Sequence, residues 1–323
     1  MASIKDIKRR IKSVANIKKI TKAMEMVAAS KMRRAIEQVL KTRTYANLSW
    51  ETVLNLSQAM ENKNNPLHPL LAPRKKIKKI AIVLISSNRG LCGGFNTSIL
   101  NKVKSSILKH QTQNGNEKIE YEFILMGKKG VSIQKQGYKI VADFTKLDLT
   151  SEIKEVIPVA KMILDDFLSG RYDKIMVAYT DFVNSLKQIP RVKQILPVEI
   201  DVEDEYLGVV GKDSRVGLDK EFLKKKQEKH KTKEGIEYDY IFEPNPKEVL
   251  DEMIPRLIEV QLYQALLESN ASEHSARMTA MHQATDAAED LVSELNLYYN
   301  KARQAGITSE LAEISAGAAA LDN

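Results

Sequence analysis

Apolar residues recur mostly in steps of three and four along the first part of the chain: Ile4, Ile7, Ile11, Val14, Ile17, Ile20, Met24, Val27, Ala28, Met32, Ala35 and Val39. That spacing lines one face of a helix. No proline or glycine interrupts Ser3 to Asn62, and Pro66, Pro69 and Pro73 then close the segment. The three-residue steps from Ile11 to Ile20 read as a stammer, a local change of supercoil. A helix over this stretch would be roughly 80–90 Å long at about 1.5 Å per residue. A compact domain cannot cover that length, so the pattern calls for a partner helix.

The end of the chain supplies one. Asn245-Pro246-Lys247-Glu248 is a helix start, with an Asn cap, a proline at the first helical position and an acid three residues after the cap. Pro255 should kink or interrupt the helix. The stripe Met278, Met281, Ala284, Ala288, Leu291, Leu295, Tyr298 and Ala302 continues through Ile307, Leu311, Ile314, Ala318 and Leu321. Its last five members alternate steps of four and three, the seam of a coiled coil. A whole domain lies between the two helices, so antiparallel pairing of the chain ends is the simplest geometry.

Short β-branched runs fill the middle: Lys79–Ser86, Tyr121–Met126, Tyr138–Phe144 and Lys174–Tyr179, with Gln188–Val198 as a last strand. Helical stretches at Thr97–His110, Lys128–Gly137 and Ser151–Ser169 alternate with them. Such alternation predicts a parallel sheet with helices on its faces. The segment 201–240 is highly charged and reads as a solvated insertion or hairpin. The organisation predicted is therefore 1–62 as an N-terminal coiled-coil helix, 63–200 as a central α/β domain, 201–244 as the insertion, and 245–323 as the C-terminal coiled-coil helix.

Charge sharpens the pairing. The chain of 323 residues carries a net charge of +8 and a pI near 9.2. Bases dominate Lys5–Arg43, with Asp6, Glu25 and Glu37 as the acids, whereas acids dominate the C-terminal stretch. Opposite charge draws the two helices together and sets their orientation. A basic chain could instead bind nucleic acid, but no helix-turn-helix, zinc finger or basic-zipper arrangement is present. The run from Lys224 to Lys233 reads as a solvated loop. A single cysteine, Cys92, rules out an internal disulfide. No stretch is long and apolar enough for a bilayer span, so a membrane link would run through a partner.

Little points to catalysis. Asn88-Arg89-Gly90-Leu91-Cys92-Gly93-Gly94 sits where an α/β fold places a phosphate loop, yet it fits neither the dinucleotide fingerprint nor the P-loop. A tight turn using glycine freedom explains it. His274 and His282 are eight apart, without metal-site spacing, and read as surface or seam residues. Cys92 reads as a small buried thiol. No catalytic, cofactor-binding or metal residue is expected.

Four blocks carry a family resemblance: KKITKAMEMVAASKMRRA (Lys18–Ala35), SNRGLCGGFN (Ser87–Asn96), ASEHSARMTA (Ala271–Ala280) and YNKARQAGITSELAEISAGAAA (Tyr299–Ala320). In order and in content they resemble the gamma subunits of F-type ATP synthases. The resemblance implies an antiparallel coiled coil beside a Rossmann-like α/β domain, acting as the central shaft of a rotary complex. It implies as partners a ring of three alpha and three beta subunits, an epsilon subunit and a membrane c-ring, with no cofactor on this chain and the catalytic sites on beta. It implies coupling residues at Met24, Arg277, Arg303, Gln304, Thr308 and Glu310, with Met24 near Arg303–Glu310, and basic contact residues Arg33 and Arg34 in the first block. A peripheral place on the cytoplasmic face of a bacterial inner membrane is the expected location, a mature organellar protein the alternative. The cysteine pair used as a redox switch by plant chloroplast relatives is not matched here. Two other readings compete: an α/β nucleotide-binding enzyme with a helical dimerisation arm, and a basic coiled-coil nucleic-acid binder.

Overall fold

The computed structural model describes residues 4–59, 68–72, 74, 76–113, 119–147, 152–198, 243 and 245–321. The charged stretch 201–240 thus lies outside the described residues. Two compact units emerge, Ser30–Ala276 and a second made of Met1–Ala29 with Arg277–Asn323.

The elements are α1 (Ile4–Ala59), β1 (Lys79–Ile85), α2 (Phe95–Gln113), β2 (Glu120–Met126), β3 (Lys139–Phe144), α3 (Ile157–Leu168), β4 (Lys174–Phe182), β5 (Gln188–Leu196) and α4 (Pro246–Leu321). Lys128–Gln136, expected as a helix, is a 3-10 helix.

In the unit Ser30–Ala276 a five-stranded sheet has the order β3-β2-β1-β4-β5. β1, β2, β3 and β4 are parallel, but β5 pairs antiparallel with β4. The four strands that alternate with helices are thus parallel as expected, and the last strand, for which the pattern gave no direction, makes the sheet mixed. The connection 183–187 is too short for a crossover, which needs about ten residues or more, so the chain can only fold back as a hairpin. Asn184 shapes that turn, its Oδ1 accepting from the backbone N–H groups of Leu186 (2.9 Å) and Lys187 (2.8 Å).

Alternate residues of β1 face opposite sides. Ile80, Ile82 and Leu84 meet Ile99, Val103 and Ile107 of α2, while Ala81, Val83 and Ile85 join a cluster with Val159, Ile163 and Phe167 of α3. That second cluster also takes Leu250, Ile254, Leu257, Ile258 and Leu262 from the start of α4. Burial on both faces is what a sheet sandwiched by helices requires, and it explains the unbroken apolar runs.

Pro255 does not interrupt α4. It deletes one backbone donor, but fully buried Leu250, Ile254 and Ile258 on either side anchor the helix across the missing bond. The cap reads as expected: Asn245 Oδ1 accepts from the Glu248 N–H at 3.0 Å.

In the other unit the two helices run antiparallel. Glu25 lies by His282, Lys18 by Glu289, and Ile4 by Gly306, so residue numbers fall on α1 as they rise on α4. On α1 the positions toward α4 are Ile7, Ile11, Val14, Lys18, Thr21, Glu25 and Ala28, each buried or half-buried. On α4 the matching buried or half-buried positions toward α1 are Met278, Met281, Thr285, Ala288, Val292, Leu295, Tyr299, Ala302 and Gly306. Both sets alternate threes and fours, an unbroken heptad seam.

That seam corrects the reading of the pattern. Ile17 (50% exposed), Ile20 (59%) and Val27 point outward, and the seam passes through Lys18 and Thr21 instead, so no stammer is present. Leu291 and Tyr298 are likewise exposed, their places taken by Val292 and Tyr299. Ile307, Leu311 and Ile314 are exposed as well. They lie past the start of α1, since Gly306 already faces Ile4. The polar seam positions are satisfied: the Thr285 hydroxyl donates to Thr21 Oγ1 at 2.9 Å, and Lys18 lays its stem in the seam while Nζ reaches Glu289 at 2.9 Å.

Candidate coupling surface

The outward face of the helical pair carries the residues of interest. On α1 it presents Ile17, Ile20, Met26 and Val27, and on α4 Leu291, Leu297, Tyr298, Ile307, Leu311 and Ile314, all exposed. Exposed basic residues Lys19, Lys301 and Arg303 interleave with them. Large exposed apolar side chains in such number along one helical pair mark a surface made to be covered.

The residues singled out in the sequence do not form one cluster. Arg303, Gln304, Thr308 and Glu310 are exposed within two turns or so of one another on α4, and the Thr308 hydroxyl donates to Gln304 O at 2.9 Å. Met24 is half-buried next to Glu25, which faces His282. The expected proximity of Met24 to Arg303–Glu310 is therefore incorrect. The antiparallel register puts that group about twenty residues further along α4, roughly 30 Å at about 1.5 Å per residue. Arg33 and Arg34 are exposed on the part of α1 that belongs to the Ser30–Ala276 unit. Arg277 is half-buried and engaged.

Charges around Met24 are paired locally. Glu25 receives Lys22 Nζ at 3.0 Å, and His282 sits between Glu25 (3.5 Å) and Asp286 (3.6 Å). His274, by contrast, is buried. Among the described residues no group of three or more His, Cys, Asp or Glu side chains could hold a metal, and no helix is long and apolar enough to cross a membrane.

At the sheet, the loop after β1 closes on itself. Asn96 Oδ1 accepts from the Ser87 N–H at 3.1 Å, Asn96 Nδ2 reaches Ser87 Oγ at 2.7 Å and Cys92 Sγ at 3.3 Å, and Phe95 N–H donates to Cys92 O. Asn96, the second residue of α2, thus ties the loop to the start of the helix, with Cys92 buried beside it. Left-handed backbone occurs at Gly93 (φ 55°) and at Leu91 (φ 63°), whereas Gly90 has open space around it.

Two buried ionic groups escaped the sequence reading. Glu122 on β2 takes a hydrogen bond from Tyr172 at 2.6 Å and salt bridges from Lys139 (2.6 Å) and Arg171 (3.3 Å). Burial pushes its carboxyl up, but the hydrogen bonds from Lys139 and Tyr172 and the charges of Lys139 and Arg171 outweigh this and hold it below the usual range. Lys146, just past β3, meets Glu273 of α4 at 2.5 Å, with side chains 1% and 4% exposed. No local motif announces either group. In sequence the only hint is a lone acid in each apolar or small-residue stretch.

Comparison with known proteins agrees along the whole chain. A family model described as ATP synthase matches residues 3–321. The ATP synthase gamma chain of Aromatoleum aromaticum is 41% identical over 322 residues, covering 99% of this chain and 100% of that one. The ATP synthase gamma chain of a Dehalococcoides mccartyi strain is 40% identical with the same coverage. Among solved structures, the central stalk and c-ring assembly of Tetrahymena thermophila mitochondrial ATP synthase contains a chain matching with a TM-score of 0.57 at 23% identity, over 82% of this chain and 99% of that one. A chain of the Euglena gracilis mitochondrial ATP synthase matches with a TM-score of 0.58 at 17% identity, over 98% and 94%. Those two likenesses bear on fold alone. Family model and full-length identity together establish that this chain belongs to the ATP synthase gamma chain family.

Proposed function

We propose that this chain is the central rotor shaft of an F-type ATP synthase, coupling rotation of a membrane c-ring to ATP synthesis or hydrolysis in a head of three alpha and three beta subunits. The observation that carries the reading is the helical pair whose outward face is rich in exposed apolar side chains interleaved with bases. A shaft turning inside a ring needs a stiff two-helix core and an outer surface that touches the ring without a fixed partner.

The chain itself is non-catalytic in this reading, and the self-closed loop after β1 supports that. The helices of 1–62 and 245–323 are the shaft. The α/β segment 63–200 is the foot, resting with an epsilon subunit on the c-ring. Arg33, Arg34, Arg303, Gln304, Thr308 and Glu310, all exposed, are the contacts toward the head. Met24 and Arg277, half-buried, set the helical pair against which those contacts work. Exposed ionic contacts of about 0–1 kcal/mol each suit a bearing, because they must break at every step. The protein lies peripherally on the cytoplasmic face of the bacterial inner membrane, attached through its partners.

The test is native mass and activity of the complex that co-purifies with the tagged chain from its own membranes. One copy with three alpha and three beta subunits and ATPase activity is expected. A free monomer or homodimer without ATPase would overturn the reading.

A further inference from the structure

Within the Ser30–Ala276 unit, α4 changes character as it passes the sheet. From Leu250 to Leu266 its buried residues are apolar and meet other apolar side chains. From Glu268 to Ser275 every residue is buried, and all but Ala271 are polar: Glu268, Ser269, Asn270, Ser272, Glu273, His274 and Ser275. Such a stretch is costly to bury unless each group has a partner in one geometry.

Among the described residues the Ser269 hydroxyl has no hydrogen-bond partner and Glu268 accepts from Gln264 Nε2 of α4 itself at 2.9 Å, but Ser272, Glu273 and Ser275 meet partners from two sides. The Ser272 hydroxyl donates to Thr180 O at 3.1 Å, and the Ser275 hydroxyl donates to Ser185 O at 2.9 Å while accepting from Gln188 Nε2 at 3.2 Å. These belong to the β4–β5 hairpin. Glu273 instead meets Lys146 in the loop after β3. That loop is itself held, since Asn88 Nδ2 donates to Lys146 O at 2.6 Å and the Leu147 N–H donates to Glu155 Oε2 at 2.8 Å. Successive helix positions differ by about 100°. Ser272 and Ser275 are therefore about 60° apart on one side of α4, and Glu273 projects about 100° from Ser272 and about 160° from Ser275.

Apolar burial has no preferred angle, because it depends on area removed from water. A buried charge pair has one. Rotating α4 by a single residue step would strand both Lys146 and Glu273 in a dry interior and leave the two serine contacts unmade. We propose that Lys146 and Glu273, with Ser272 and Ser275, form a rotational lock that fixes the angle of α4 on the sheet, so that torque applied to the α/β part enters the helix here rather than being lost as slip. The inference rests on the shaft reading given above. Lys146 and Glu273 are positioning residues in it; neither touches a substrate.

The experiment uses the whole rotary complex with its head immobilised and a probe bead attached through Lys135→Cys, an exposed site on the 3-10 helix. Angular fluctuation of the bead in the stalled enzyme and ions pumped per ATP are measured for the native pair and for Lys146→Met with Glu273→Leu. The apolar pair keeps the seat filled but removes its angle, so fluctuation should widen by about twofold or more and the pumping ratio fall correspondingly, while ATP hydrolysis continues. Glu273→Gln, nearly the same shape, is read the same way should the double variant not assemble. Unchanged fluctuation and pumping in a complex whose unsubstituted form rotates would overturn the lock alone. No ATP-driven rotation of the bead on the unsubstituted chain would overturn the shaft reading instead.

Discussion

At the scale of single residues, Gly127 and Glu122 show how much of the sheet's interior strand β2 hangs on individual atoms. Gly127 has φ 108°, and a Cβ there would stand 2.3 Å from Ser86 O. Ser86 ties the ends of β1 and β2 together, its Oγ donating to Gly127 O and accepting from the Gly130 N–H, both at 2.8 Å. Gly127→Ala should therefore cost about 3 kcal/mol or more. Gly90→Ala, with nothing within 4 Å, should change the stability read from urea unfolding by less than about 0.5 kcal/mol. Equal effects would contradict this account. Glu122 gives a pH signature. Its folded pKa is depressed, so its contribution is present above the unfolded value of about 4.3 and is lost as pH falls through the folded one. Glu122→Gln should be less stable than the native protein by about 1–3 kcal/mol at pH 7, and the gap should narrow in urea titrations run progressively below pH of about 4.3. A gap independent of pH would show that the carboxylate charge plays no part.

At the scale of elements, α4 runs through Pro255 where the sequence suggested a kink. Proline in a helix interior is unfavourable by about 3 kcal/mol relative to alanine. Pro255→Ala restores a donor to Asp251 O without touching the buried neighbours, so thermal unfolding should move up; a lower midpoint would mean that the proline ring itself is a packing contact. The same helix shows where sequence reading succeeds and stops. Both long helices, all five strands and the capping Asn245 are legible because period, proline placement and cap chemistry are local. Apolarity alone misplaces the seam. Ile17 and Ile20 are apolar but serve the outer surface, whereas Lys18 and Thr21 occupy the seam because each has a partner on α4, at Glu289 and Thr285. The direction of β5 and the Lys146–Glu273 pair depend on chain reversal and on residues 127 apart in sequence, which no local pattern encodes. The coupling group shows the same limit: the resemblance names candidate residues, but only the register shows that Met24 and Arg303–Glu310 are far apart.

At the scale of the whole molecule, the two units answer to different tasks. The charge opposition between chain ends, so visible in the sequence, contributes modestly: Lys18–Glu289 is solvent-exposed, and such pairs are worth about 0–1 kcal/mol. The heptad seam and the threonine pair hold the helices instead. Beyond Gly306 the side chains of α4 described up to Ala316 are all exposed. Deleting residues 307–323 should therefore leave the unfolding transition of the sheet unchanged while lowering ions pumped per ATP in the assembled complex. Loss of the sheet's circular dichroism in the truncated chain would count against this division.

The Thr21–Thr285 contact spans 264 positions of chain, which has a consequence for how the protein is made. During synthesis α1 leaves the ribosome before every strand of the sheet, while its seam partners from Met278 onward emerge after all of them. Contacts this remote close late, after the loop entropy between them has been reduced by the folded middle. For most of translation the Ile7, Ile11, Val14 and Ala28 face has no partner and is open to any apolar surface nearby. Nascent chains arrested before residue 278 should bind holding chaperones through α1, and release them only when the last helix is complete.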